Sequence, residues 1–473
     1  MRALLITTAA LCLSASAQFQ AGPPQKYDPE WVTLMRHPVP AWFDEAKLGI
    51  FVHWGLYSVP AYAPPTGELG KVDFSKWFTY NPYAEWYANT MKIAGSPTAR
   101  HHQQNYGPNF GYLDFIPQFN QAVAKWNPDQ MAAAFHDAGA RYVVLTTKHH
   151  DGFLLWPSRV RNPQRRADQQ GATRDITGEL TKAVREKGMK MGLYYSGGLD
   201  WSFVPEPIVT MGDLMQRVPQ SAEYAAYADA HWRELIGRYQ PSVLWNDISY
   251  PRLGETARIF AEYYNRVPDG VVNNRFNVPH SDFTTPEYSK YERIVEKKWE
   301  SCRGLGFSFG YNQVEGPEHV IPAPGLIRLL VDIVSKNGNL LLNVGPRPDG
   351  SIPEIQLDRL RALGAWLRQN GEAIYASKPW IRPSAKTTDG IGVRFTQKGG
   401  SVYAILLDQP KGRETAIEGL FLPAGAKVTL LGGGDIPWKQ DGHAARLTLP
   451  ASLPGSSAFA FRITPKPSLL VSE

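Results

Sequence analysis

The stretch Ser242-Val243-Leu244-Trp245-Asn246-Asp247 runs from apolar residues into an aromatic, an amide and a carboxylate. Pro241 precedes it, and Ser249, Pro251 and Gly254 follow. Short apolar runs bounded by turn residues read as buried strands. An unpaired charge is costly to bury, so Asp247 is a poor choice for packing alone. At the C-terminal end of a barrel strand it reads as catalytic; its bland alternative is a cap for the next helix. Other polar residues stand where other apolar runs end: His53, His149, His150, Asp151, Tyr194, Asp200, Arg275, Glu287 and Glu300. In a barrel those ends share one face, which lets the groups converge on one pocket.

Two chemistries compete for that pocket. In the first, His53, His149, His150 and Asp247 bind a metal for hydrolysis. The adjacent histidines lack the spacing that turns two imidazoles to one side, which counts against it. In the second, two carboxylates flank a glycosidic bond, one as nucleophile and one as acid/base. Histidine, Trp and Tyr then hold sugar hydroxyls, and aromatic faces pack the sugar's apolar side. Each residue also has a packing explanation. A lone His53 reads as a satisfied core histidine. His149 and His150 point to opposite sides of an extended chain, as do Tyr194 and Tyr195. Asp151-Gly152 can be a turn, and Arg275 can pair a buried carboxylate. Convergence of so many, without a phosphate loop, favours a site for a neutral polyol.

The elements that must position these residues follow from periodicity. Lys47 to Val52 reads as a buried strand ending in His53-Trp54-Gly55. A long Pro- and aromatic-rich segment follows, holding Tyr83-Ala84-Glu85-Trp86-Tyr87. Asn127 caps a helix that feeds the strand before His149, with Pro128 at its first position. Helices at 175–187, 222–239, 256–264, 326–335 and 353–370 alternate with strands at 189–196, 242–247, 270–275 and 339–345. Shorter strand candidates stand at 284–289 and 298–303. Buried strands lacking a polar face, alternating with helices, argue for a parallel sheet. The fold class is α/β: a (β/α)8-type barrel over residues 18–376, with insertions. A doubly wound sheet is the alternative. After about Pro379, short strands with Gly- and Pro-rich turns predict an antiparallel β-sandwich over residues 377–473.

Composition narrows the setting. Aromatics reach 12%, with 14 Trp and 22 Tyr, which suits sugar rings as well as a large core. The net charge of +6 is spread without a basic block, so nothing points to nucleic acid. Arg2, the apolar run Ala3 to Leu13 and Ala15-Ser16-Ala17 read as a signal peptide over residues 1–17. No later stretch has the ~20 apolar residues of a membrane helix. The exported chain would keep one cysteine, Cys302, and no internal disulfide. The absence of Asn-X-Ser/Thr sequons fits a bacterial periplasmic or secreted enzyme.

The motifs resemble those of the family 29 glycoside hydrolases, the retaining α-L-fucosidases. The resemblance rests on Leu48 through Pro60, Glu85-Trp86-Tyr87, Thr147 through Phe153, Gly192 through Ser196, Leu244 through Asp247, Trp299-Glu300 and Asn339 through Gly345. It implies that Asp247 is the nucleophile and Glu287 the acid/base. It implies that His53, Glu85, Trp86, His149, His150, Tyr194 and Trp245 hold fucose hydroxyls. Arg275 would stand near the nucleophile, and Phe309 would line the pocket for the sugar's methyl group. Asn274 departs from the Asp that many members carry before that arginine. The acid/base position varies in the family, so Glu292, Glu296 and Glu300 are further candidates. The expected activity is exo-hydrolysis of a fucosylated oligosaccharide or glycoconjugate, with no cofactor and no metal. The alternatives are a non-catalytic fucose-binding protein on the same scaffold and a metal-dependent barrel hydrolase.

Overall fold

A computed structural model describes residues 26–453 and 455–467. The signal-peptide reading of residues 1–17 lies outside them. Seven parallel strands form the central sheet: β1 (Leu48–Val52), β2 (Tyr142–Lys148), β3 (Lys190–Tyr195), β4 (Val243–Asn246), β5 (Val271–Val272), β6 (Trp299–Gly304) and β7 (Gly338–Val344). Their order is β5-β4-β3-β2-β1-β7-β6. The sheet curls until its two edges face each other. Residues 283–287 bridge the gap, because Phe283 pairs with Asn273 and Thr284 and Glu287 pair with Trp299 and Cys302. The ring thus closes as a TIM-barrel-like α/β fold.

Two expected strands are corrected here. The strand over 270–275 shrinks to Val271–Val272, and Asn274–Phe276 is a 3-10 turn. The cause is the Asn273 amide. It accepts from the Asn246 N–H at 3.1 Å and donates to the Asn246 carbonyl at 2.9 Å, replacing the backbone ladder. The strand over 284–289 exists only as the isolated bridges. The aromatic-rich segment after β1 also holds helices that periodicity did not reveal, Pro97–Tyr106 and Ile116–Val123. The first carries an N-cap signal, since Ser96 accepts from the Ala99 N–H at 2.9 Å and Pro97 opens the helix.

Alternation along each strand divides the core in two. Leu48, Ile50, Val143, Leu145, Met191, Leu193, Leu340 and Leu342 point outward, under the helices. Phe51, Tyr142, Val144, Tyr194, Val243, Trp245 and Leu341 fill the barrel. Gly49 admits the Tyr142 ring, which a Cβ there would strike. Both faces are therefore dry, which is why the strands read as unbroken apolar runs.

Residues beyond the last barrel helix, Glu354–Asn370, build two antiparallel sheets. One has six strands and the other three, and they share an apolar core that includes Val393, Phe395, Ile417 and Leu447. In the strand Ser401–Leu406, Val402, Ala404 and Leu406 face that core, while Tyr403 and Ile405 join the barrel's. The Trp366 indole N–H fastens the join by donating to the Ala458 carbonyl at 3.0 Å.

Candidate active site

The inward-facing period of two continues past the strand ends. His53 lies two residues after Phe51, Asp247 two after Trp245 and Asn343 two after Leu341, so all three extend the inner face upward. His53 and Asp247 open onto a cavity of about 330 Å³. The walls include His53, Glu85, Trp86, His149, His150, Tyr194, Trp245, Asp247, Arg275, Glu287 and Phe309. The nucleophile and acid/base expected from the family resemblance, Asp247 and Glu287, therefore meet the nine expected sugar-binding residues in one place.

Arg275 organises the centre. Its Nη1 donates to Asp247 Oδ1 at 2.8 Å and its Nη2 to Glu287 Oε2 at 2.9 Å. Its guanidinium also lies 4.6 Å from the Trp245 ring centroid. Asp247 receives two further bonds, from the Ile248 N–H at 3.0 Å and from the Tyr194 hydroxyl at 2.9 Å. Burial pushes the Asp247 carboxyl up. The Arg275 charge and the bonds from Arg275 and Tyr194 outweigh that and hold it below the ordinary carboxylate range. Asn274 does not touch Arg275 through its side chain. It accepts from the Thr285 hydroxyl at 3.0 Å, and Thr285 Oγ1 accepts from Arg275 Nε at 2.9 Å. The amide thus serves as a prop one residue removed.

The histidines are neutral acceptors. Burial carries His53 down to about 3 and His150 down to about 4, and His149 well below the ordinary value. Asn343 donates to the Phe309 carbonyl at 2.6 Å, so its oxygen must accept from His53 Nδ1, at 2.7 Å. Ser196 donates to the Leu199 carbonyl at 2.7 Å, so its Oγ accepts from His150 Nδ1, at 2.6 Å. Both networks leave Nε2 as a lone pair, suited to a hydroxyl proton. His149 and His150 do not point apart as alternation predicts. The strand ends at Lys148 and the chain turns, so the two rings lie 4.0 Å apart and both face the cavity. Tyr194 and Tyr195 do alternate: Tyr195 bonds to His231 in the outer layer.

The remaining walls come from loops. Glu85 Oε2 accepts from the Gly310 N–H at 2.7 Å and from Ser308 Oγ at 3.2 Å, which anchors the loop carrying Phe309. Burial pushes the Glu85 carboxyl up to about 7, against those bonds. Phe309 packs 4.9 Å from the His53 ring. The Tyr83 hydroxyl donates to Glu287 Oε1 at 2.9 Å. Sequence reasoning did not select Tyr83, Trp77, Cys302 or Asn343 as site residues. Asn343 was within reach, through the period of two along β7. The others carry no such signal.

Five further candidates lie elsewhere. Asp200 pairs with Lys148 at 2.8 Å, both side chains fully buried. Asp151 accepts from the Tyr112 hydroxyl at 2.7 Å. Glu292 and Glu296 are exposed and outside the cavity. Glu300 sits beneath it, where its Oε1 accepts from the Trp245 indole at 3.0 Å and its Oε2 from the Tyr142 hydroxyl at 2.5 Å. Among the described residues, no group of three or more His, Cys, Asp and Glu is placed to hold a metal ion.

The family model described as alpha-L-fucosidase matches residues 14–372. The chain belongs to the α-L-fucosidase family of glycoside hydrolases. It is 35% identical over 470 residues to the human tissue alpha-L-fucosidase, covering 95% of this chain and 94% of that one. A solved alpha-L-fucosidase structure superposes with a TM-score of 0.89 at 48% identity, covering 93% of this chain and all of that one. The Thermotoga maritima alpha-fucosidase, solved with a mechanism-based inhibitor, gives 0.86 at 46% identity over the same shares. No helix among the described residues is long and apolar enough to cross a membrane.

Proposed function

We propose that this chain removes single α-L-fucosyl residues from the ends of glycans with retention of configuration. Asp247 acts as nucleophile and Glu287 as acid/base. The observation that carries the assignment is Arg275, whose one guanidinium holds both carboxylates at the wall of a sugar-sized cavity. Retaining hydrolysis needs two carboxyl groups on one small volume, one ionised and one carrying a proton. Asp247, held below the ordinary range, suits the ionised role.

In the first step an Asp247 oxygen bonds to the anomeric carbon. The glycosidic C–O bond breaks, and Glu287 gives its proton to the leaving oxygen. The charge on Asp247 is consumed in the ester. In the second step Glu287 takes a proton from water, the water oxygen bonds to the anomeric carbon, and Asp247 is released. Neutral His53, His149 and His150 accept from the sugar hydroxyls, aided by Glu85, Trp86, Tyr194 and Trp245. Phe309 gives the 6-methyl group an apolar wall, where a hydroxyl would be left unpaired. Cavity size supports removal of one sugar at a time. The catalytic unit is residues 18–376, and the leader at 1–17 directs it to the periplasm or outside the cell.

Hydrolysis of an aryl α-L-fucoside followed by NMR tests the reading. The first-formed product is expected to be α-L-fucose. A β product, or binding without turnover, contradicts it.

A further inference from the structure

The mouth of the cavity differs from its interior. Leu69 and Phe74 come from the segment after β1, and Met211 and Leu214 from the helix Met211–Gln216 after β3; all four line the cavity. Phe74 is 50% exposed and Met211 49%. Large apolar side chains left in water at the rim of a polar pocket mark a surface that an apolar group covers.

Their position says which part of the substrate that is. The Phe74 ring lies 6.2 Å from Trp77, and Trp77 lies 5.2 Å from Tyr83. Tyr83 in turn bonds to Glu287. Through Phe74 the collar is therefore joined to the acid/base side of the cavity, the side on which the leaving group departs, and Met211 and Leu214 line the same mouth. The interior, lined by hydrogen-bonding groups, takes the fucosyl unit. The collar carries no charge and no strong hydrogen-bonding group.

We propose that Phe74, Met211 and Leu214 form a leaving-group subsite. It selects neutral aglycones that present a flat apolar face, either the C–H face of a second sugar or an aryl ring. The flexible Met211 lets one surface fit both. This rests on the fucosidase reading above.

The test compares kcat/KM for methyl α-L-fucoside, 4-nitrophenyl α-L-fucoside and a neutral fucosyl disaccharide. Wild type, Phe74→Ser, Phe74→Trp and the double variant Met211→Ser/Leu214→Ser are measured, with inhibition by L-fucose. For the two serine variants, kcat/KM is expected to fall about tenfold on a substrate with an apolar leaving group. Methyl fucoside hydrolysis and the fucose inhibition constant should stay within about twofold, and Phe74→Trp should retain wild-type values. A loss on the aryl substrate alone assigns the face to aromatic groups, and a loss on the disaccharide alone to sugars. Equal losses on all three substrates, or none, overturn the subsite. If wild type hydrolyses none of them, the fucosidase reading falls and the subsite with it.

Discussion

The two central carboxylates are held in different ways. Asp247 follows β4, which pairs with β3 on one side and β5 on the other. It is 8% exposed and bonded to Arg275, Tyr194 and the Ile248 N–H. Glu287 stands on a segment that touches the sheet only through isolated bridges, with two side-chain partners, Tyr83 and Arg275. Both are followed by strained backbone: Ile248 has φ 52° and Tyr288 φ 47°. A β-branched or bulky residue there is rare and costs of order 1–3 kcal/mol, so surrounding structure must enforce it. The sheet fixes the group that meets the sugar, which is the same in every substrate. The loops carry the group that meets whatever leaves.

That contrast predicts a graded set of losses. Asp247→Ala should lose about 10⁴-fold or more in kcat on every fucoside, activated or not, with little change in melting temperature. Retained activity on a nitrophenyl substrate would erase the difference between the two carboxylates. Glu287→Ala should lose about 10²- to 10⁴-fold in kcat/KM on a disaccharide, and far less on a nitrophenyl fucoside, whose leaving group needs no proton. Azide should restore its turnover and give the α-fucosyl azide, because two inversions retain configuration. Equal losses on both substrates would remove Glu287 from the acid role.

Gly198→Ala probes the scaffold behind Asp247. A Cβ at Gly198 would run into the Ile248 carbonyl oxygen, so the turn that places Asp247 must move. Displacement of about 1 Å costs ~10²-fold, and kcat should fall on all substrates alike. Loss restricted to one leaving group would contradict the assignment of this turn to the sugar side. Glu300→Gln should act on stability. Burial pushes the Glu300 carboxyl up to about 7, while the unfolded chain ionises near the ordinary value of 4.5. Between those values the unfolded state binds fewer protons, so wild-type stability falls as pH rises, by on the order of 3 kcal/mol. Urea unfolding of the variant should show a flatter pH dependence across that window. An unchanged slope would place the titration elsewhere.

The same division explains what could be read from the chain. His53, Tyr194 and Asp247 follow from alternation along apolar strands, which burial on both faces makes unambiguous. The strand expected over 270–275 was overestimated because Asn273 answers the backbone of Asn246 with its side chain. Side-chain competition of that kind leaves no periodic trace. His149 and His150 share a face because the chain turns after the strand ends at Lys148, so the alternation of an extended chain does not reach them. Glu85, Trp86 and Phe309 could be picked only through the motifs of the family, and the acid/base role of Glu287 likewise. Their convergence depends on loops whose paths are set by contacts such as Glu85 with Gly310, far apart along the chain.

The most direct test is to trap the intermediate. A 2-fluoro fucosyl donor with a good leaving group should inactivate the enzyme, and mass spectrometry of its peptides should find one fucosyl adduct, on Asp247. An adduct on Glu287, Glu85 or Glu300, or turnover with no adduct and an inverted product, would contradict the account.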